Sequence, residues 1–392
     1  MKEYDANLIS YNSASHYSYD IHGNVKELWQ EHPDVTPASQ RIKHLTYTYD
    51  LISGKVNTFS YQAGAKDAFY HKYSYDGDNR IKDVHTSRNN VIWERDAHYE
   101  YYDHGPLARV ELGDDNVQGI DYAYTLQGWI KGVNSGQLKP EMDMGADGLG
   151  IPGNPYADFG RDIFSYSLNY FENDYIAIGE EDLPGQPAGP VLTAATNPFI
   201  KLDNGTALNP SPSNLMADAG NLYNGNITSM VTTLPIAANM NGNNLTGYQF
   251  EPLGFAYKYD QLNRIKQAEG FKNVDATNNE WNTDVSPTKN YKSTFDYDPN
   301  GNITHLTRTA ESITDLYDDL TYDYLTATIG GQKRLLSNRL YNVKDEIINA
   351  AQEEDDIEDQ QIFISDENTI NTANNYSYDE IGNLIKDNYW LY

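Results

Sequence analysis

Carboxylates are the commonest reactive groups in this chain: 57 Asp plus Glu stand against 28 Lys plus Arg, a net charge of −29. Acid–base hydrolysis of a glycoside needs two of them about 5–9 Å apart in a cleft. Asp174 and the run Glu180-Glu181-Asp182, near Phe171 and Tyr175, have the right types. Carboxylates are so frequent, however, that no pair stands out, and turn or surface roles explain them first. The segment EMDMGADGLG gathers Asp143, Asp147 and Gly148. An EF-hand needs D-x-[DN]-x-[DN]-G and a later Glu, and here the register fails. Asp143 and Asp147 therefore stand only as candidate ligands of a structural Ca²⁺, the one cofactor the sequence offers. Asp298, Asn300 and Asn302 in YDPNGNI also cluster oxygens, but their place in a repeated turn already explains them.

Other chemistries find less support. There are nine histidines and none forms HExxH; His98 and His104 merely flank YEYYD. No G-x-S-x-G elbow, G-x-G-x-x-G or P-loop occurs, and GADGLG at Gly145–Gly150 lacks a strand-to-helix setting. The absence of cysteine excludes disulfides, thiolate metal sites and cysteine nucleophiles. Trp29, Trp93, Trp129, Trp281 and Trp390 could stack on sugars beside carboxylate acceptors, although packing between hairpins accounts for them as well. The acidic balance argues against nucleic acid and anionic membranes, and suits cationic partners. No 18-residue apolar run exists, so no membrane insertion is expected, and MKEYDANLISYN has no apolar core of a signal peptide.

The elements that must position these residues are announced by one phrase: Tyr-Asp, two variable residues, Gly or Asn, a polar residue, an aliphatic one. It reads YDIHGNV (Tyr19–Val25), YDGDNRI (Tyr75–Ile81), YDQLNRI (Tyr259–Ile265), YDPNGNI (Tyr297–Ile303) and YDEIGNL (Tyr378–Leu384). Period-two alternation surrounds each copy, as in HKYSYD, which predicts hairpins. Gly23, Gly301 and Gly382 exchange with Asn79 and Asn263, the two residue types that best tolerate positive φ. Asp20, Asp76, Asp260, Asp298 and Asp379 would accept backbone N–H groups in the turns. Tyr19, Tyr75, Tyr259, Tyr297 and Tyr378 would cover neighbouring strands. All fifteen roles are structural. Degenerate copies fill the gaps: YYDHGPLARVEL keeps Tyr-Asp with its glycine shifted to Gly105, and DYAYTLQGWIKGVN keeps Tyr124, Gly128 and Ile130. LYNGNITSMVT keeps the strand after the turn, and Leu320–Val343 reads as another strand pair. With 33 Tyr and a hydrophobic content of 39%, the chain suits sheets packed on one side and wet on the other, without a thick aliphatic core. A weak helix is expected over Asn342–Gln361, with a solvated acidic run inside it at Glu353–Gln361.

As an array, these phrases resemble the YD or Rhs repeats of bacterial Rhs proteins, of the cocoon-forming subunits of insecticidal toxin complexes, and of teneurins. YAYTLQGWIKGVNSG, FGRDIFSYSLNYFENDY and LYNGNITSMVT are similar to Rhs-type wall proteins of the Bacteroidetes group. The resemblance implies an all-β fold: a long twisted antiparallel hairpin ribbon that curls into part or all of a hollow shell. It implies a non-enzymatic structural role, encapsulating or presenting a toxin or other polypeptide cargo, or the C-terminal part of the same protein. The parent would be secreted or displayed at the cell surface. The family's PxxxxGxxYDxxTGLxYxxxRYYxP segment and its self-cleavage site are absent from this sequence, and both ends read as cut from something longer. The expected layout is 1–134 repeat hairpins, 135–218 a Gly/Pro-rich insertion with a short strand, and 219–392 repeat hairpins. The alternative is a surface adhesin or carbohydrate-binding module that takes glycans on its Tyr/Trp patches. A glycoside hydrolase or lyase comes third.

Overall fold

The computed structural model describes residues 2–4, 11–138, 142–148, 153–171, 174–175, 198–199, 221–236, 249–271, 274–275, 280–281, 289–309, 316–347 and 376–387. Chain contacts divide it into two units, one of residues 1–123 with 143–162, the other of 124–142 with 163–392. Both are all-β and antiparallel. Among the described residues there is no α-helix, only a single 3-10 turn at Ala38–Gln40.

In the first unit the strands are β1 (Lys2–Tyr4), β2 (Tyr11–Tyr19), β3 (Val25–Glu31), β4 (Ile42–Tyr49) and β5 (Val56–Tyr61). They continue as β6 (Phe69–Tyr75), β7 (Ile81–Ser87), β8 (Glu94–Tyr101), β9 (Leu107–Leu112) and β10 (Gln118–Tyr124). Each pairs with the next in sequence, a plain meander. Residues 143–162 of the insertion fold with this unit: the Gly160 N–H donates to the Asn116 carbonyl at 3.1 Å, and the Tyr156 hydroxyl to Glu100 at 3.0 Å.

The second unit repeats the scheme with β11 (Ile130–Val133), β12 (Ser165–Asn169), β13 (Ser229–Ile236), β14 (Gln249–Tyr259) and β15 (Ile265–Phe271). A two-stranded excursion, β16 (Val274–Asp275) with β17 (Glu280–Trp281), precedes β18 (Lys289–Tyr297), which returns to pair with β15. Then follow β19 (Ile303–Thr309), β20 (Leu316–Ile329) and β21 (Gln332–Asp345), and a separate hairpin of β22 (Tyr376–Tyr378) and β23 (Leu384–Asp387).

The expected helix over Asn342–Gln361 is corrected. Asn342–Asp345 ends β21, where Val343 lies opposite Tyr322 and is 7% exposed; the ladder and that burial outweigh a weak helical preference. Residues 348–361 lie outside the described residues.

Burial explains why tyrosine dominates. In β10 and β12 buried and half-buried positions alternate, whereas β5 and β6 are half-exposed almost throughout. Among the described residues, buried apolar side chains in the strands are few and mostly small: Ala14, Ala97, Val110, Ala123, Val133, Val231, Ala256 and Val343, with Leu320 the largest. A sheet wet on much of its surface cannot rely on aliphatic burial alone. Cross-strand pairs such as Thr48–Thr58, their hydroxyls 2.5 Å apart, and Tyr47 tilted on Phe59 supply lateral cohesion instead.

Candidate functional site

The repeated turns are built identically. In the first, the Asp20 N–H donates to the Asn24 carbonyl and the Gly23 N–H to the Asp20 carbonyl. Asp20 Oδ1 accepts the N–H groups of His22 (2.8 Å) and Asn24 (2.9 Å), and its Oδ2 accepts the Asn24 amide (3.0 Å). Asp76, Asp260, Asp298 and Asp379 do the same, with Arg80 or Arg264 donating through Nε in the two copies that carry Arg. Partial burial opposes ionisation of these carboxylates, but the converging hydrogen bonds prevail and hold all five below the usual range. The Gly/Asn position has positive φ throughout: +87° at Gly23, +62° at Asn79 and Asn263, +92° at Gly301 and +96° at Gly382.

Each repeat tyrosine after the first reaches back to the preceding hairpin. The Tyr75 hydroxyl donates to the carbonyl of Val56 (2.7 Å), Tyr259 to Ile227 (2.8 Å), Tyr297 to Ile265 (2.7 Å) and Tyr378 to Leu340 (3.0 Å). The carbonyl chosen belongs to the aliphatic residue that ends the previous turn. Degenerate copies obey the same rule: Tyr49 to Val25, Tyr101 to Ile81, Tyr170 to Ile130 and Tyr324 to Ile303. In most copies a register shift in the ladder just before the tyrosine re-aims the ring. Where the turn carries Arg, its guanidinium covers the next repeat tyrosine, at 4.3 Å for Arg80 on Tyr101 and 4.7 Å for Arg264 on Tyr297.

Two degenerate copies differ from the sequence reading. In YYDHGP it is Tyr101 and Tyr102 that take the Tyr and Asp places, since the Tyr102 N–H pairs with the Pro106 carbonyl and the Gly105 N–H with the Tyr102 carbonyl. Gly105 is thus in register and not shifted. In Leu320–Val343, Tyr324 lies opposite Leu340 and Ser337-Asn338-Arg339-Leu340 supplies the end of a repeat turn. A small hairpin, reversing at Gly330-Gly331 (φ +61° and +80°), is inserted in that turn.

The Ca²⁺ candidates come together around a cation the chain already owns. Arg109, 2% exposed, donates through Nη1 to Asp121 (2.6 Å) and through Nη2 to Asp147 (2.7 Å), with Tyr156 and Phe159 against its guanidinium at 3.8 and 4.9 Å. Asp143 accepts the N–H groups of Gly145, Ala146 and Asp147. Gly145 is obligatory, since a Cβ there would stand 2.3 Å from Arg109 Nη1 and 2.5 Å from Asp121 Oδ2. Asp147 and Asp143 are engaged by a guanidinium and by backbone, so this donor set does not fit a divalent ion. Among the described residues no three Asp, Glu or His side chains are placed to hold one. Asp298, Asn300 and Asn302 likewise point into the turn or toward Asn338.

Beside this nest lies Asp162. Neither of its carboxylate oxygens has a partner in ordinary hydrogen-bond geometry, and the Gln118 side chain gives only slight support to the anion. Burial, reinforced by the charges of Asp143, Asp147 and Asp121, pushes it up to about 8. Burial also raises Asp121, to about 6, against the pull of Arg109. Nothing in the sequence pointed to Arg109 or Asp162, because ARVEL and FGRD look like an ordinary strand and loop.

Asp174, weighed above beside Glu180-Glu181-Asp182, is engaged by the Lys131 ammonium and the Tyr170 N–H. It is buried against Lys131 and Asn169, a second nest belonging to the second unit. Glu180-Glu181-Asp182 lie outside the described residues. His98 bonds Asp83 at 2.6 Å and His104 stacks on Tyr102. Trp29 lies flat on His44, with centroids 4.7 Å apart, and Trp129 packs on Tyr170 and over Gly225. The Trp390 candidate lies outside the described residues, as does the side chain of Trp281.

Compared with known proteins, the chain matches no family model and no curated protein. Among solved structures it is similar to the Photorhabdus luminescens Tc holotoxin pore, at 10% identity over 85% of this chain and 19% of that one, with a TM-score of 0.32. It is also similar to the crystal structure of TcdB2-TccC3-Cdc42, at 10% identity over 85% of this chain and 18% of that one, with a TM-score of 0.24. The chain therefore spans about a fifth of the length of these structures.

Proposed function

We propose that this chain is a non-catalytic wall segment. Its YD-repeat hairpins curl around, or present, a polypeptide in a protein that acts outside a bacterial cell. The observation that carries this reading is the coupling of turns. Repeated Asp carboxylates are saturated by their own turn, and repeated Tyr hydroxyls by the carbonyl that ends the preceding one. Residues so engaged build a continuous surface and are not free to turn over a substrate. The carboxylates with the strongest shifts, Asp121 and Asp162, are 8% and 7% exposed, which suits burial of charge and not an open cleft. Trp29 and Trp129 are used in packing, which leaves the glycan reading without those two faces. A wall acts physically, by keeping proteases and solvent away from what it surrounds.

The test is a fusion. A disordered, Lys-rich reporter peptide is appended to the C-terminus, and its tryptic cleavage is timed against the same peptide added free. Strong protection of the fused reporter beside rapid loss of the free one is the expected result. Equal rates would overturn the enclosing function.

A further inference from the structure

Covalent cross-linking in a chain without cysteine needs another chemistry, and one buried site has its parts. Lys131, on β11, is 4% exposed, and its Nζ donates to Asn169 Oδ1 at 2.6 Å and to Asp174 Oδ1 at 2.7 Å. Asn169, the last residue of β12, and Asp174 are each 5% exposed. We propose that Lys131 and Asn169 join in an autocatalytic intramolecular isopeptide bond, with Asp174 as the proton carrier.

Each group is held for the reaction. Asn169 is fixed from three sides: its Nδ2 donates to Ser229 Oγ at 3.1 Å, and its carbonyl accepts the Thr228 N–H (2.7 Å) and hydroxyl (2.8 Å). The orientation matters, because the oxygen faces the amine and the leaving nitrogen faces away from it, toward Ser229. Asp174 is fixed by the Tyr170 N–H, which donates to its Oδ2 at 2.9 Å. Aromatic rings close the site: Trp129 on Tyr170 with centroids 4.9 Å apart, and Phe199 with its ring 5.7 Å from Nζ. Held in such contact, the two groups react as one molecule and the entropic part of the barrier is already met.

An amine in water at neutral pH is protonated and does not attack an amide. Burial disfavours the ammonium and lowers the Lys131 pKa, against the stabilising charge of Asp174. The step balances without any co-reactant. Asp174 takes a proton from the Lys131 ammonium, and neutral Nζ attacks Asn169 Cγ to form the new C–N bond. Asp174 returns that proton to Nδ2 and takes a second one from the attacking Nζ; the Cγ–Nδ2 bond breaks, ammonia leaves, and Asp174 ends as the neutral acid. The product is a neutral amide in place of a buried ammonium, so the desolvation cost of the charge is removed. A covalent tie between β11 and β12 would close the chain from 131 to 169 and limit its unfolded states, as a disulfide does elsewhere.

The experiment is intact mass and peptide mapping of the full chain after purification. The expected mass is below the sequence mass by one ammonia, with trypsin unable to cut after Lys131 and a branched peptide joining Lys131 to Asn169. In Asn169→Ala and Lys131→Met the ammonia loss should disappear, and Asp174→Ala should give mostly the uncross-linked mass. A wild-type chain at its full sequence mass, cleaved normally after Lys131, would overturn the proposal without reference to any variant. So would loss of one water with a branch to Asp174, since that makes the carboxylate the electrophile and not the carrier.

Discussion

At the scale of single residues, the tyrosine hydroxyl is the group that turns hairpins into an array. The Asp of each turn was legible in the sequence, because its partners lie two and four residues away. The tyrosine's partner was not: Tyr75 donates to Val56, 19 positions earlier, and Tyr259 to Ile227, 32 earlier. Alternation says that a ring faces a neighbouring strand, but cannot say which carbonyl its oxygen meets. A neutral hydrogen bond of this kind contributes about 1 kcal/mol. Tyr75→Phe and Tyr297→Phe should each lower unfolding free energy by about that amount in urea denaturation. Tyr19 begins the first repeat turn and is 59% exposed, so Tyr19→Phe should be nearly silent. Equal losses in all three would mean that ring packing, and not the bond to the preceding turn, is what counts.

Among elements, the turn sets both register and direction, and its demand falls on one position. Gly301 has φ +92° with open space around it, so a side chain there meets backbone strain and no clash. Gly301→Val should cost about 1–2 kcal/mol, the price of a left-handed conformation for an L-residue. Asn79→Gly keeps φ accessible and should stay within about 0.5 kcal/mol of the parent. Asn263→Gly should cost more than Asn79→Gly, because Asn263 Oδ1 also accepts the amides of Asn224 and Asn226 from the preceding turn. Thermal denaturation of the three variants side by side checks the order. The all-β architecture was legible because alternation and turn residues agree at every copy. What local pattern hid was context: Tyr102 taking an Asp place through backbone bonds alone, a hairpin inserted between Tyr324 and Leu340, and strand pairing claiming Asn342–Asp345. The nests around Arg109 and Lys131 were hidden for the same reason, since Arg109 meets Asp147 38 residues away and Lys131 meets Asp174 43 away.

For the molecule as a whole, two sets of carboxylates pull stability in opposite directions with pH. The turn carboxylates Asp20, Asp76, Asp260, Asp298 and Asp379 are held below their ordinary value of 3.8. The unfolded chain binds protons at these sites more readily than the folded one, so their contribution is complete above 3.8 and is lost as pH falls through the folded values. Asp162 and Asp121 are raised, to about 8 and about 6. Here the folded state holds the proton more tightly. Stability is greatest below the unfolded value, declines as pH rises from about 4, and levels off above about 8. Self-repulsion at a net charge of −29 works the same way on the alkaline side. The melting temperature should therefore peak at acidic pH, near 4, where the first contribution is complete and the second begins to fall, and drop by several degrees toward pH 8. Asp162→Asn separates the buried group from general repulsion, because an amide in its place has no proton to lose. That variant should keep the acid limb and flatten the decline between pH 6 and 8. A parent whose melting temperature climbs from pH 5 to 8, with Asp162→Asn tracking it, would mean that Asp162 is ionised and solvated in the folded chain.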